Sequence, residues 1–321
     1  LHDALPILRT GEVLVSGRLL ADICKSLPNK PVDVAFDGAK VLITCGAAHF
    51  SLMSMPLDSY PKLPEMPPVT GHADSAELAH AVSQVARASA RDDTLPLLTT
   101  ILVEFAGDQI SLTATDRYRL AARTLSWAPE TPDVAVKALV KAKTLTDMTK
   151  SLSGGGDVAI SLVNEPGAAK ILGMELGGRR MTSQLTDGDY PPVAKLFPET
   201  SEITALVDRD EMVSALKRVA LVTERSAPVT LSFDEGDLRL EAGQGEDAQA
   251  SEHLNCHFSG TPIQAAFNPA YLLDGLQALD ATYARLSFTH PSKPVVLTGQ
   301  AEPGGEDDAS LRYLLMPIRS I

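Results

Sequence analysis

One arrangement of secondary structure recurs along this chain, and it constrains the fold more than any other feature of the sequence. Each copy spans about 60 residues and consists of one amphipathic helix followed by three strands, with a further strand before the helix. Apolar residues at helical spacing, such as Leu78, Val82 and Val85, predict the helices. The five predicted helices lie at residues 17–27, 75–90, 143–152, 208–221 and 269–279.

Turn signals separate the predicted strands of each copy. Asp37-Gly38, Gly107-Asp108 and the segment 234–237 each stand between two apolar runs, as expected for tight antiparallel connections. Two copies also close on the same Tyr-Pro pair, at Tyr60 and Tyr190. The shared order and the shared closing pair indicate a duplicated unit.

A unit of this kind leaves one face of its sheet uncovered. Pairs of units are therefore expected to fuse into α+β domains, with helices on one side and antiparallel sheets on the other. Five is an odd number of units. Either one unit stands alone, or the chain lacks a sixth unit at its front.

Composition and charge exclude several classes of protein. The chain has 321 residues, 44% of them hydrophobic, which is too apolar for a disordered protein. It has neither an apolar run of about 20 residues nor a secretion signal, so we expect a cytoplasmic protein. The net charge of −13 argues against binding nucleic acid by bulk attraction, and any contact with DNA would need a local positive lining. Cys24, Cys45 and Cys256 are widely spaced and are interpreted as buried thiols.

A search for catalytic or cofactor motifs finds little. The Gly154–Asp157 segment lacks the Lys-Ser/Thr of a phosphate-binding loop, and His253 and His257 flank a strand end, so neither a cofactor nor a metal is expected. Asp116 is best read as a turn carboxylate. A second hypothesis remains, a small-molecule hydrolase on the duplicated scaffold with its site around Asp116 and His290.

Four separated motifs carry a resemblance to a known family. They are residues 114–120 (ATDRYRL), 187–191 (DGDYP), 267–272 (FNPAYL) and 313–319 (YLLMPIR). In order and spacing they resemble the bacterial sliding clamp, the beta subunit of DNA polymerase III. The resemblance runs from about Thr10 to the end of the chain.

The resemblance implies the DNA clamp fold, an α+β fold of three domains with two units each. On this basis residues 1–70 are the second half of the first domain, residues 71–200 the second and residues 201–321 the third. The chain would then lack the first ~60 residues of the family pattern, and residues 1–8 would be non-native.

The resemblance also implies a function. A sliding clamp is a non-catalytic, ring-shaped processivity factor made of two chains that join head to tail. It encircles duplex DNA without reading its sequence and tethers the replicative polymerase, the clamp loader and other proteins through short peptides. A clamp paralogue that binds peptides outside replication is a further possibility.

A peptide-binding groove is implied between the second and third domains. Its matching positions combine apolar anchors with a few polar residues, although Leu98 and Leu120 read equally well as core strand residues. The groove positions are Leu98, Thr115, Arg117, Tyr118, Arg119, Leu120, Pro191, Lys195, Leu196, Ser226, Asn268, Tyr271, Ser292, Pro294, Met316, Pro317, Ile318 and Arg319.

Two more surfaces follow from the resemblance. Basic residues on or beside the helices would line the hole, or would otherwise be ordinary solvated residues: Arg18, Lys25, Arg87, Arg91, Lys141, Lys143, Lys150, Lys217 and Arg218. The contact between the two chains would involve Phe50, Leu52, Leu221, Val222, Glu246, Asp247 and Glu252.

Overall fold

The structure is a computed structural model, which describes residues 10–62, 64–163, 170–223, 227–243 and 248–318. The chain divides into two units, Leu1–Glu65 and Met66–Ile321. No helix in the described ranges is long and apolar enough to cross a membrane.

The first unit contains one copy of the repeat. Its helix places Ile23 against Val41, Ile43 and Leu52 of an antiparallel sheet, and these four buried side chains form its core. The Asp37 carboxylate accepts the backbone N–H groups of residues 39 and 40, as the predicted turn requires. The elements are α1 Gly17–Ser26, β1 Asp33–Phe36, β2 Lys40–Cys45 and β3 Ala48–Met53.

The second unit begins with two copies of the repeat in residues 71–200, called here the middle segment. Its elements are β4 Gly71–Asp74, α2 Ser75–Ala86, β5 Thr100–Ala106, β6 Gln109–Thr115, β7 Arg119–Ser126, β8 Ala128–Pro129, β9 Ala135–Lys141, α3 Ala142–Leu152, β10 Asp157–Val163, β11 Ile171–Leu176 and β12 Arg179–Gln184.

Two further copies follow in residues 201–321, called here the last segment. Its elements are β13 Ile203–Asp208, α4 Arg209–Val219, β14 Val229–Asp234, β15 Asp237–Ala242, β16 Ala250–Asn255, β17 His257–Ser259, β18 Ile263–Phe267, α5 Pro269–Ala278, β19 Tyr283–Phe288, β20 Val295–Gln300 and β21 Asp307–Leu315. The predicted α+β class and the order of five helices are confirmed within the described residues.

Short polar side chains fix where the helices of the second unit begin. Asp74 accepts the backbone N–H of Glu77 at 2.8 Å, and Asp208 accepts that of Glu211 at 2.9 Å. Each carboxylate satisfies one of the N–H groups that the first helical turn leaves without a partner. The same strand-Asp-helix junction therefore recurs in the middle and last segments.

A continuous sheet joins the middle and last segments. Among the described residues it has nine strands in the order β17-β13-β19-β20-β21-β7-β6-β5-β9. The junction is the antiparallel pair of β21 with β7, in which Leu315 lies opposite Arg119 and Leu311 lies opposite Arg123. Beyond β21, the Met316 N–H donates to the Tyr118 carbonyl at 2.8 Å. We call this junction the seam.

The helices of the second unit pack side by side. α2 contacts both α3 and α5, and α5 contacts α4. Across the α2–α5 contact, His80 Nε2 lies 2.7 Å from Asp280 Oδ2, and Gln84 donates to the Ala278 carbonyl at 2.7 Å. The middle and last segments are thus joined by helices as well as by the sheet.

One interpretation of the cysteines needs correction. Cys45 and Cys256 are buried, as expected, but Cys24 is exposed. In α1 only Ile23 is buried, so a side chain one position further along the helix points away from the sheet.

Candidate functional site

An apolar cleft of about 550 Å³ opens beside the seam. Leucine, proline, valine and methionine side chains form most of its walls, and Thr115, Arg117 and Arg119 complete the lining. We call it the apolar cleft, and its lining is Leu95, Pro96, Leu97, Leu98, Thr115, Arg117, Arg119, Leu120, Pro191, Val193, Leu196, Pro294, Leu314 and Met316.

The floor of the cleft belongs to a small core of its own. Leu120 and Leu314, which lie opposite each other across the seam, pack with Phe197 and Val296. By contrast, Leu196 is 56% exposed at the rim. The cleft thus has a rigid base and an accessible apolar edge, the arrangement expected of a site for apolar side chains.

A glycine allows one wall of the cleft to form. Gly188 has a φ of +133°, and a Cβ atom there would lie 2.8 Å from a methyl carbon of Leu97. Glycine alone adopts this conformation without strain and leaves room for the leucine. The loop before Pro191 can therefore approach Leu97 closely.

A smaller polar cavity of about 350 Å³ adjoins the cleft. The two share Leu95, Leu98, Arg117 and Arg119. We call it the polar cavity, and its lining is Ser89, Ala90, Arg91, Asp92, Thr94, Leu95, Leu98, Asp116, Arg117, Tyr118, Arg119, Ala270, Tyr271 and Asp274.

Arg119 is buried between the two depressions and joins the middle and last segments. It is 2% exposed. Its Nε donates to Asp116 at 2.9 Å, and one terminal nitrogen donates to Asp274 at 2.6 Å and to the Tyr313 hydroxyl at 3.3 Å. The guanidinium carbon also lies 4.3 Å from the centre of the Tyr271 ring. A buried charge is tolerated only with such partners.

Burial and charge shift the pKa values of these groups. Burial by itself disfavours the charged guanidinium, but the influence of Tyr313 and the bonds to Asp274 and Asp116 raise the pKa of Arg119 above its ordinary value. Burial also disfavours the charged form of Tyr313 and so raises the pKa of its hydroxyl, although the positive charge and hydrogen bond of Arg119 counteract this effect. Arg119 is therefore a fixed cation, and Tyr313 is a neutral hydrogen-bonding group at ordinary pH.

The turn between β6 and β7 brings Arg119 into place. Asp116 Oδ1 accepts the backbone N–H groups of Tyr118 and Arg119, each at 3.0 Å. Thr115 donates its hydroxyl to the Arg119 carbonyl at 2.7 Å, and its N–H donates to the Tyr190 hydroxyl at 3.0 Å. The reading of Asp116 as a turn carboxylate is confirmed.

The structure brings together most of the predicted groove positions. Those that line the apolar cleft are Leu98, Thr115, Arg117, Arg119, Leu120, Pro191, Leu196, Pro294 and Met316, and those that line the polar cavity in addition are Tyr118 and Tyr271.

Other predicted groove positions line neither depression. The Asn268 side-chain oxygen accepts the N–H groups of Ala270 and Tyr271 at the start of α5 and acts as a helix cap, and its groove role stays a prediction. The Ile318 N–H donates to the Ala266 carbonyl at 2.7 Å. The rest of this group are Lys195, Ser292 and Pro317, whereas Ser226 and Arg319 lie outside the described residues.

Sequence reasoning missed several lining residues. Leu95, Pro96 and Leu97 precede β5 in an irregular segment. Asp274 lies on α5, and the sequence around it does not show that this helix packs close to Arg119. The unbroken Leu-Pro-Leu-Leu run between two polar stretches was the available signal. Leu314 lies within the motif at residues 313–319, whereas Val193 and Asp92 carry no signal of their own.

The predicted DNA-facing residues divide into two groups. Arg87 and Arg91 lie 3.5 and 3.7 Å from Asp274 of α5, although the Arg91 side chain stays 84% exposed. Lys143 pairs with Asp147 at 2.7 Å, and Arg218 Nε donates to Glu252 at 3.0 Å. The remaining positions are exposed and form no ion pair with described residues: Arg18, Lys25, Lys141, Lys150 and Lys217.

The predicted chain-to-chain contact also needs revision. Leu52 is 3% exposed in the core of the first unit, so its side chain is not available to a partner. Phe50 packs against that core while remaining half-buried. Leu221 is 83% exposed, whereas Val222 is half-buried. Glu252 is paired with Arg218, and Glu246 and Asp247 lie outside the described residues.

The geometry gives no support to the hydrolase hypothesis. Asp116 is committed to the turn and to Arg119, and His290 lines neither depression; its Nδ1 lies 2.9 Å from the Ser292 hydroxyl. Within the described ranges, no group of three or more His, Cys, Asp or Glu side chains could hold a metal ion.

Comparison with protein families covers nearly the whole chain. The N-terminal, central and C-terminal domains of the DNA polymerase III beta subunit match residues 5–64, 72–192 and 194–319 in that order. This chain belongs to the DNA polymerase III beta subunit family. The resemblance seen in the four motifs is confirmed.

Individual members of the family are also similar to this chain. The beta sliding clamp of Streptomyces coelicolor is 47% identical over 309 residues, covering 96% of this chain and 82% of the relative. The beta sliding clamp homolog GriR of Streptomyces muensis is 44% identical, covering 97% and 82%. A crystal structure of a DnaN sliding clamp from Pseudomonas aeruginosa bound to griselimycin is 25% identical, with a TM-score of 0.87 over 97% of this chain and 82% of that one.

One expectation about the first domain is not supported. The sequence suggested that the first ~60 residues of the family pattern are missing and that residues 1–8 are foreign to it. The N-terminal domain match begins at residue 5, inside that segment, and continues to residue 64. The domain boundaries at residues 70 and 200 stay predictions.

Proposed function

We propose that this chain is a DNA sliding clamp, a processivity factor that holds DNA by surrounding it and makes or breaks no bonds itself. The observation that carries this proposal is the apolar cleft at the seam, since it offers a docking site for other proteins in a member of the beta subunit family. A sliding clamp of a bacterial DNA polymerase acts on the chromosome, which lies in the cytoplasm, so we propose a cytoplasmic location.

The cleft is suited to a short peptide with apolar anchors. Leu120 and Leu314 form a buried floor, and Leu196 and Met316 are partly exposed at the rim. Filling such a depression removes apolar surface of both partners from water, the main favourable contribution in peptide docking. We propose that the replicative polymerase and the clamp loader bind here through short segments of this kind.

We further propose that two copies form a ring around duplex DNA. Leu221, which is 83% exposed, is an apolar side chain available for contact with Phe50 of a second copy. Lys150 and Lys217, on α3 and α4, are cations without a carboxylate partner among the described residues. Phosphate attraction by a few such cations is weak and screened by salt, which favours sliding over anchoring.

Retention on circular DNA tests the topological part of the proposal. The full chain is loaded with a clamp loader onto a nicked circular plasmid, and the amount of bound protein is measured by gel filtration. Cutting the circle once with a restriction enzyme should release it, because a ring slides off a free end. A matched sample cut before loading is the control. Retention that is equal on cut and uncut DNA would contradict the proposal.

A further inference from the structure

The carboxylate of Asp274, on α5, lies within ion-pair distance of three arginines with different places in the proposed clamp. Arg119 lines the apolar cleft, whereas Arg87 and Arg91 do not line it and are among the predicted DNA-facing residues. We propose that Asp274 couples the two functions, so that a peptide in the cleft raises the attraction of Arg87 and Arg91 for DNA phosphates, and bound DNA raises the affinity of the cleft for its peptide. This inference rests on the proposed function and concerns the regulation of that same cleft.

The three contacts of Asp274 differ in strength. Arg119 donates to it at 2.6 Å and is 2% exposed, so water does not replace this partner. Arg87 and Arg91 lie at 3.5 and 3.7 Å, and their side chains are 36% and 84% exposed. Contacts of that length between solvated groups contribute little to stability and are readily exchanged. Arg87 and Arg91 are therefore free to leave Asp274, whereas Arg119 is not.

A single carboxylate does not balance three positive charges at once. In the arrangement that the structure shows, Asp274 is shared by all three arginines. In a second arrangement, Arg87 and Arg91 turn to phosphates and Asp274 serves Arg119 alone. A ligand that favours the second arrangement at one surface favours it at the other, because both surfaces draw on the same carboxylate.

A peptide acts on this balance through Arg119. Filling the apolar cleft excludes water beside Arg119, and an ionic hydrogen bond becomes stronger where water is excluded. Asp116, the other carboxylate bonded to Arg119, is fixed by the turn, since its Oδ1 accepts the N–H groups of Tyr118 and Arg119. The additional demand for negative charge therefore falls on Asp274, whose hold on Arg87 and Arg91 weakens.

DNA acts on the same balance from the other side. A phosphate that pairs with Arg87 or Arg91 removes a competing cation from Asp274, and the bond from Arg119 is strengthened. Tyr271, one turn before Asp274 on α5, packs against the same guanidinium, with 4.3 Å between its ring centre and the guanidinium carbon. Bound DNA thus fixes Arg119, the residue next to the cleft floor at Leu120, and a preorganised site binds its ligand more tightly.

Reciprocal titrations test the coupling. Fluorescence anisotropy of a labelled Gln-x-x-Leu-Phe peptide gives its Kd for the full chain at low salt, with and without a saturating short linear DNA duplex. Anisotropy of the labelled duplex gives its Kd with and without saturating unlabelled peptide. Each ligand should tighten the binding of the other by about two- to fivefold, and the two factors should agree because coupling is reciprocal. Raising the salt concentration should reduce both factors together.

Two double variants assign the coupling to the arginines that share Asp274. Arg87→Gln combined with Arg91→Gln should bring both factors to within about 1.3-fold of unity. Lys150→Gln combined with Lys217→Gln is the matched control, because it also removes two cations, and neither has a carboxylate partner among the described residues. The control should weaken duplex binding but keep the coupling factor. Asp274→Asn, with its fold verified by circular dichroism, should also abolish the coupling.

Several results would overturn the inference. Peptide affinity that is equal with and without DNA would do so, and so would coupling that survives in the double arginine variant. If DNA weakens peptide binding, the two ligands compete for one surface, and the inference is wrong although both binding functions stand. If the peptide or the duplex does not bind the wild type at all, the proposed function fails at that surface, and this inference fails with it.

Discussion

Replacing Asp274 by Asn tests whether the buried Arg119 network holds the middle and last segments together. The substitution preserves size but removes the charge that accepts the 2.6 Å bond from Arg119. The same carboxylate lies near Arg87 and Arg91. We expect a clear loss of stability, because Arg119 is 2% exposed and cannot recover water in exchange.

The size of the loss follows from the contacts that remain. Breaking a buried ion pair by removing one partner costs about 3–5 kcal/mol when the other charge is left alone. Here Asp116 still binds Arg119 at 2.9 Å, and the Asp274 side chain is 19% exposed. A charge-assisted hydrogen bond contributes about 1.5–3 kcal/mol. We therefore expect Asp274→Asn to lower the free energy of unfolding by about 2–3 kcal/mol.

Urea unfolding followed by tryptophan fluorescence measures this loss. Trp127 is the single tryptophan of the sequence and is buried in the second unit, so it reports on the unit that contains the network. Asp147→Asn is the matched control, since it breaks an exposed pair with Lys143 on α3 and should cost less than about 0.5 kcal/mol. An Asp274→Asn midpoint that moves no more than the control would refute the role assigned to the network.

Three further predictions concern the groove and its supports. Met316→Ala should weaken a Gln-x-x-Leu-Phe peptide by about 1–3 kcal/mol in isothermal titration calorimetry, and unchanged affinity with the fold intact would remove Met316 from the groove. Burial raises the pKa of Tyr190 to about 12 from an ordinary value of 10.0. The contribution of Tyr190 to the free energy of unfolding is therefore complete below pH 10 and is lost as the pH rises to 12, because the unfolded chain loses this proton first. Tyr190→Phe should show a shallower fall of the unfolding free energy in that window, and identical slopes would contradict this. Gly275→Ala would place a Cβ atom 2.8 Å from the Tyr313 ring and should cost about 1–3 kcal/mol, whereas Gly154→Ala, with no atom within 4 Å, should cost far less.

Local patterns were sufficient to predict the helices. The predicted start of the fourth helix, at residue 208, lies one residue before the observed start of α4 at Arg209, and Asp208 caps that helix. The end of α2 was placed too late, at residue 90 instead of Ala86. Ala88 is fully buried after the helix has ended, so the apolar pattern continues where the helical backbone does not.

The seam could not be predicted in the same way. Alternation shows that β7 and β21 are strands, but it does not show that they pair with each other or that Arg119 lies opposite Leu315. The family resemblance supplied the groove between the two domains. It did not supply the partners of Arg119, because Asp274 becomes its neighbour only when α5 packs against β21.

Counting charges along the sequence does not show which cations keep an unpaired charge, for a related reason. The net charge of −13 means that carboxylates outnumber cations, and folding decides which of them meet. Arg218 and Lys143 lie beside Glu252 and Asp147, so they present little unbalanced charge to a phosphate. Lys150 and Lys217 make no such pair with described residues, so in the proposed clamp they would carry more of the attraction that α3 and α4 can offer. Because counterion release scales with the number of phosphates neutralised, so sparse a set of cations binds DNA weakly. In the proposed ring, retention would then come from topology, which would explain how an acidic protein can serve as a clamp.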